Sequence, residues 1–132
     1  MRDTTTGTNY EKRMEVLLAE TNITYQSQKV IGKKRNGGNH RVDLIIDGEI
    51  LVSLKHQEVS GTAEEKVPFE FMKLQHAVDD YNYKHALIVL SGDKGWTWKN
   101  YYLSQEFKSS MKTLYPDVDI MSHEEFCMIY HQ

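Results

Sequence analysis

Residues 40–57, HRVDLIIDGEILVSLKHQ, constrain the fold most, because two apolar, β-branched runs meet at Asp47-Gly48. Asp-Gly between such runs supplies the positive φ angles of a tight hairpin turn and folds the runs back on each other. The predicted strands are 40–46 and 50–57. Side chains alternate between the two faces of a strand. Val42, Leu44 and Ile46 are therefore expected on one face, with Asp43 and Ile45 on the other. Ile50, Val52 and Leu54 likewise oppose Leu51, Ser53, Lys55 and Gln57. The hairpin thus brings Asp43 close to Ser53 and Lys55, an acid and an amine on one partly buried face.

The flanking sequence supplies the rest of a sheet and its helices. Tyr10, Met14, Leu17 and Leu18 recur at helical spacing, predicting a helix from residue 9 or 10 to about 21. Thr8 or Asn9 is its candidate cap, and Asn22 breaks it. Residues 23–31 alternate as a strand, and KKRNGGN reads as a turn before the hairpin. Thr62-x-x-Glu65 has capping-box spacing for a helix running to about residue 80. Pro68 fits a first helical turn, which moves the regular start to near Val67. Phe69, Met72, Leu74, His76 and Ala77 form the less polar side of that helix.

ALIVL at 86–90 reads as a strand buried on both faces. Residues 102–114 are predicted helical and 118–121 a short strand. Ser122-His-Glu-Glu125 caps a last helix in which Phe126, Met128, Ile129 and Tyr130 are expected to pack. The order α-β-β-β-α-β-α-β-α predicts an α/β class domain, a central mixed sheet flanked by helices. A chain of 132 residues suits one such domain, 1–132.

Asp43 can bind a hard divalent cation through oxygen, and Lys55 can orient an attacking water and offset phosphate charge. A structural Asp–Lys pair explains the same spacing. The pattern Asp43-x9-Ser53-x-Lys55, on a hairpin after a helix and one strand, resembles the PD-(D/E)xK nuclease superfamily. That family's core order, αβββαβ, is matched over roughly residues 8–91. It includes restriction endonucleases and Holliday-junction resolvases. The opening Gly7-x-x-Tyr10-Glu11 is similar to resolvase-like members, which implies Glu11 as a further metal-site acid. Lys55-x-Gln57 likewise resembles members with glutamine two residues after the lysine, which implies a catalytic role for Gln57.

Ser53 departs from the family, which usually places its second carboxylate there. Three readings stay open. The acid has moved to the following helix, with Glu70 and Glu65 as candidates and Glu64 behind them. Alternatively Glu11, Asp43, the Leu54 carbonyl and Gln57 suffice for one metal. In the third, the site is inactive and the domain only binds. The resemblance implies a metal-dependent endodeoxyribonuclease using Mg2+ or Mn2+. Its duplex cleavage would require a homodimer, since one centre cuts one strand. A catalytically inactive DNA-binding module and a protein-interaction domain are the rivals.

The net charge of −3 gives no general attraction for nucleic acid, so binding must rest on charge distribution. Between Asn22 and Val42 there is no acid, while Lys29, Lys33, Lys34, Arg35 and Arg41 supply cations beside His40. Lys33, Lys34, Arg35, His40 and Arg41 are thus the candidate phosphate-backbone contacts, against the ordinary reading of a solvated loop. Trp96, Trp98, Tyr101 and Tyr102 are either base-stacking residues or core and interface. The six histidines lack zinc spacing. Cys127 lacks a partner cysteine, has no paired histidine in its sequence context and reads as a buried thiol. No apolar run approaches the roughly 20 residues that span a bilayer, and the opening residues are polar. An intracellular, cytoplasmic protein with no membrane partner is expected, and phage, mobile-element and host origins stay open.

Overall fold

The computed structural model describes residues 5–58, 64–92 and 94–130, with side chains from Asn9 onward. Helix α1 (Thr5–Glu20) precedes three strands, β1 (Tyr25–Lys33), β2 (Asn39–Ile46) and β3 (Ile50–His56). A single 3-10 turn (Glu64–Lys66) leads into α2 (Val67–Tyr81), followed by β4 (His85–Ser91). Helices α3 (Lys99–Tyr102) and α4 (Gln105–Leu114), strand β5 (Val118–Ser122) and helix α5 (His123–Tyr130) complete the described chain. The sheet order is β1-β2-β3-β4-β5. β1, β2 and β3 pair antiparallel, whereas β4 and β5 run parallel to β3.

Local chemistry accounts for the ends of these elements. Asn22, at φ 60°, takes the left-handed conformation that stops α1. The Ile23 N–H donates to the Leu18 carbonyl and the Asn22 N–H to Ala19, closing a Schellman arrangement. Asp47 and Gly48 both have positive φ, and Ile46 pairs with Ile50 across the turn. Ser122 caps α5 reciprocally. Its Oγ accepts the Glu125 N–H at 3.1 Å, and its own N–H reaches the Glu125 carboxylate at 3.5 Å.

Two apolar layers enclose the sheet. Ile45, Leu51, Phe71, Leu74, Ile88 and Phe107 pack beneath α2 and α4. Tyr10, Met14, Leu18, Leu44, Val52 and Phe126 pack on the opposite side beneath α1 and α5.

Several expectations need correction. Helix α1 begins at Thr5, so Thr8 and Asn9 lie within it and do not cap it. A polar, proline-free turn extends the helix beyond its buried stripe. Helix α2 starts at Val67 with proline in its first turn, as the sequence predicts. Ser60, Gly61 and Thr62, with the capping box begun at Thr62, lie outside the described residues. Phe69 is 54% exposed, because the buried stripe passes through Val67, Phe71, Leu74 and Val78 instead.

The single helix expected over 102–114 is two, α3 and α4. Ser104 interrupts them by accepting the Phe107 N–H, at 3.2 Å, as the cap of α4. In α5 only Phe126 is fully buried, and Met128 and Ile129 point outward. Cys127 is half-buried and does have a histidine: His123, one helical turn earlier, places Nε2 3.4 Å from Sγ. Among the described residues no helix is long and apolar enough to cross a membrane.

Candidate active site

Strict alternation would put Val42 and Leu44 on the same face, yet they pack into opposite layers. The break falls at Asp43. The β2–β3 pairing extends only from Ile46–Ile50 to Leu44–Val52. Beyond it the Asp43 carboxylate takes the place of a ladder carbonyl, accepting the Leu54 N–H at 2.7 Å. Asp43 is thereby fixed at the point where the two strands part, next to Ser53 and before Lys55.

Opposite Asp43, strand β1 is also irregular. Gln28 adopts φ 49°, an uncommon conformation for a residue with a Cβ. Its carbonyl accepts from the Arg41 guanidinium at 3.0 Å. Its side-chain Nε2 donates to Glu11 Oε2 at 2.9 Å and to Asp43 Oδ1 at 3.5 Å. Two carboxylates, from α1 and β2, therefore address one small volume. Burial pushes the Asp43 carboxyl above its ordinary range, even though the Leu54 N–H and Lys55 act to lower it. Burial and then the charge of Asp43 do the same to Glu11. A pair of oxygen donors whose charges oppose each other suits a hard cation.

Glu70 enters from α2. Its Oε2 lies 3.3 Å from Lys55 Nζ and 3.2 Å from Lys73 Nζ, with the carboxylate almost fully enclosed. Burial alone would raise its proton affinity. The two ammonium groups outweigh burial and hold Glu70 below the ordinary carboxylate range. In this arrangement Glu70 faces two lysines, and among the described residues no three His, Cys, Asp or Glu side chains converge as a metal cage. Asp43 and Glu11 fit a cation by their shared volume; Glu70, also expected as a metal acid, is turned to Lys55.

The other expected residues scatter. Ser53 is buried opposite Ile88. The Gln57 amide is committed to the Gly95 carbonyl, anchoring the loop after β4. Glu65 is exposed on the 3-10 turn, and its charge acts on Tyr102. Glu64 turns from the centre to accept the N–H groups of Thr97 and Trp98.

Of the basic block, Arg35 is held by Asp80 through a two-pronged pair at 3.1 and 3.0 Å, and Lys33 Nζ reaches Asn39 at 2.8 Å. His40 is buried beside Glu70, Lys73 and Lys34, and burial lowers its proton affinity. The aromatic segment divides: Tyr102 is buried with its hydroxyl on the Glu64 carbonyl, while Trp98 and Tyr101 stay exposed. Gln28, Lys73 and His76 are the residues the sequence reading missed. Lys73 was detectable, since it lies three positions from Glu70 on one helix face.

A family model described as "PD-(D/E)XK nuclease superfamily domain" matches residues 3–131. Curated protein sequences offer no match. Among solved structures, the chain is similar to the crystal structure of a protein of unknown function, AF1548. The TM-score is 0.51 and the identity 12%, over 86% of this chain and 56% of that one. This chain thus spans little more than half the length of that neighbour, and the likeness is one of fold.

Proposed function

The chain belongs to the PD-(D/E)XK nuclease superfamily, and from that premise we propose a metal-dependent endodeoxyribonuclease that hydrolyses phosphodiester bonds. The observation carrying this reading is the Lys55–Glu70 pair set beside Asp43 and Glu11. It supports the idea that α2 brings an acid to the centre, one that positions Lys55 rather than taking the metal-site place left by Ser53. Asp43 and Glu11 would hold the cation. When bound, Mg2+ or Mn2+ supplies Lewis-acid polarisation of the phosphate and a more acidic water.

Lys55, steadied by Glu70, donates from Nζ to the attacking water or a phosphate oxygen. This fixes the line of attack and offsets charge that builds as the P–O bond breaks. Lys73 keeps Glu70 ionised beside Lys55. The enclosure of Glu70 and Asp43 limits water around both. The basic block at Lys33, Lys34, Arg35, His40 and Arg41 would track the strand. A duplex cut would need two copies of the chain, so a homodimer belongs to this reading.

The test is cleavage of supercoiled plasmid and branched DNA with Mg2+, Mn2+ or EDTA, by wild type, Asp43→Ala and Lys55→Ala. Metal-dependent nicking lost in both variants is expected. Well-folded wild type that cuts nothing, yet binds DNA in a salt-sensitive way, would replace the nuclease with a binding module on the same fold.

A further inference from the structure

Beside the acid centre lies a cleft lined by Lys33, Lys34, Arg35, His40, Lys73 and His76 among others. It is bounded by the β1–β2 loop on one side and α2 on the other. Two anchors fix the loop against α2. The Tyr81 hydroxyl clamps Lys33, accepting its N–H and donating to its carbonyl, each at 2.7 Å. Arg35 grips Asp80 two residues along the loop. Gly32 lets this happen: a Cβ there would collide with the Tyr81 ring. The loop is closed on itself as well, through Lys34 N–H to the Gly38 carbonyl at 2.7 Å.

The lining is therefore built before any ligand arrives, and its charge is unbalanced. Lys33, Lys34, Arg35 and Lys73 bring four cations to the lining; Arg35 is engaged by Asp80 and Lys73 by Glu70, which leaves Lys33 and Lys34 without an acid partner among the described residues. Preorganised cations without counter-charge attract an anion in proportion to their crowding. Histidine and lysine side chains both offer N–H donors to an oxyanion such as phosphate.

Resting on the nuclease reading, we propose that this cleft binds a second phosphate of the substrate strand, next to the one cut. Lys73 joins the two positions, since the residue lines the cleft and its Nζ touches Glu70. The phosphate is either an internal phosphodiester or a terminal monoester. The site would set how far from an end, or in which register, the strand is cut.

The probe is inorganic phosphate, titrated into the full chain at constant pH and ionic strength while the histidine ring signals are followed by NMR. His40 and His76 are expected to shift saturably, with a Kd on the order of 1 mM, whereas His85 and His123 stay still. Lys34→Gln and His76→Gln should each weaken binding severalfold, and Lys84→Gln, remote from the cleft, should not. No saturation, or equal shifts of all histidines in every variant, overturns the proposal whatever the cleavage result. If phosphate binds the cleft but wild type never cuts DNA, the nuclease reading falls and the anion site stands. Where wild type does cut, oligonucleotides with 5′-phosphate or 5′-hydroxyl ends separate the sources. A preference for one end abolished in His76→Gln indicates a terminal phosphate, and an equal rise in KM for both indicates an internal one.

Discussion

Replacing Glu70 with glutamine keeps the shape of the side chain and removes the charge paired with both Lys55 and Lys73. The Glu70 side chain is 8% exposed, and those of the two lysines are 20% and 25% exposed. Breaking a buried ion pair on one side costs about 3–5 kcal/mol when the remaining charge is sealed from water. These lysines keep a fifth to a quarter of their surface, which places the expected loss nearer about 2–3 kcal/mol. For a chain of this size that is a fall in Tm of roughly 5–12 °C.

The pH dependence fixes the cause. Glu70 is held below the ordinary carboxylate range, so its contribution is complete above the unfolded value of about 4.3 and is lost as pH falls through the lower folded one. Urea unfolding of wild type and Glu70→Gln should therefore differ fully at neutral pH and converge below about pH 4. Equal stabilities at neutral pH, or a gap that widens on acidification, would refute the idea that the lysines hold Glu70 ionised.

Three further outcomes can be measured. Asp43 and Glu11 carry raised proton affinities, so each costs stability once ionised, and the cost disappears as pH falls below the ordinary carboxylate range. Asp43→Asn should accordingly unfold later than wild type at neutral pH without metal. Mg2+ at ten times its Kd should add about 1.4 kcal/mol to wild type and nothing to the variant, by thermal unfolding. Gly92 has φ 94°, and a Cβ there would strike the Gln57 carbonyl. Gly92→Ala should lose about 1–3 kcal/mol in urea unfolding.

The fold was legible wherever local chemistry decides: the Asp47-Gly48 turn, the stripe of α1, the buried run of β4 and the Ser122 cap. The site was legible in part. Asp43 and Lys55 follow from the hairpin, and Glu70 occupies a position in the stripe Val67, Phe71, Leu74 that an apolar residue would ordinarily take. Glu65 looked equivalent only because the orientation of its turn is set by Glu64 catching N–H groups more than thirty residues away, at Thr97 and Trp98. Gln28 carried no signal, since its left-handed conformation arises from pairing with a strand that breaks alternation at Asp43. Perfect period-two reasoning placed Val42 on the wrong side for the same reason.

An acid two residues before a lysine on one strand would stand at a distance set by the chain itself, about 6.6 Å along the strand. Here the carboxylate and the amine belong to different elements, so their separation is a packing variable. Any shift of α2 against the sheet would therefore move Glu70 relative to Lys55, and the cleft between the β1–β2 loop and α2 borders that same helix.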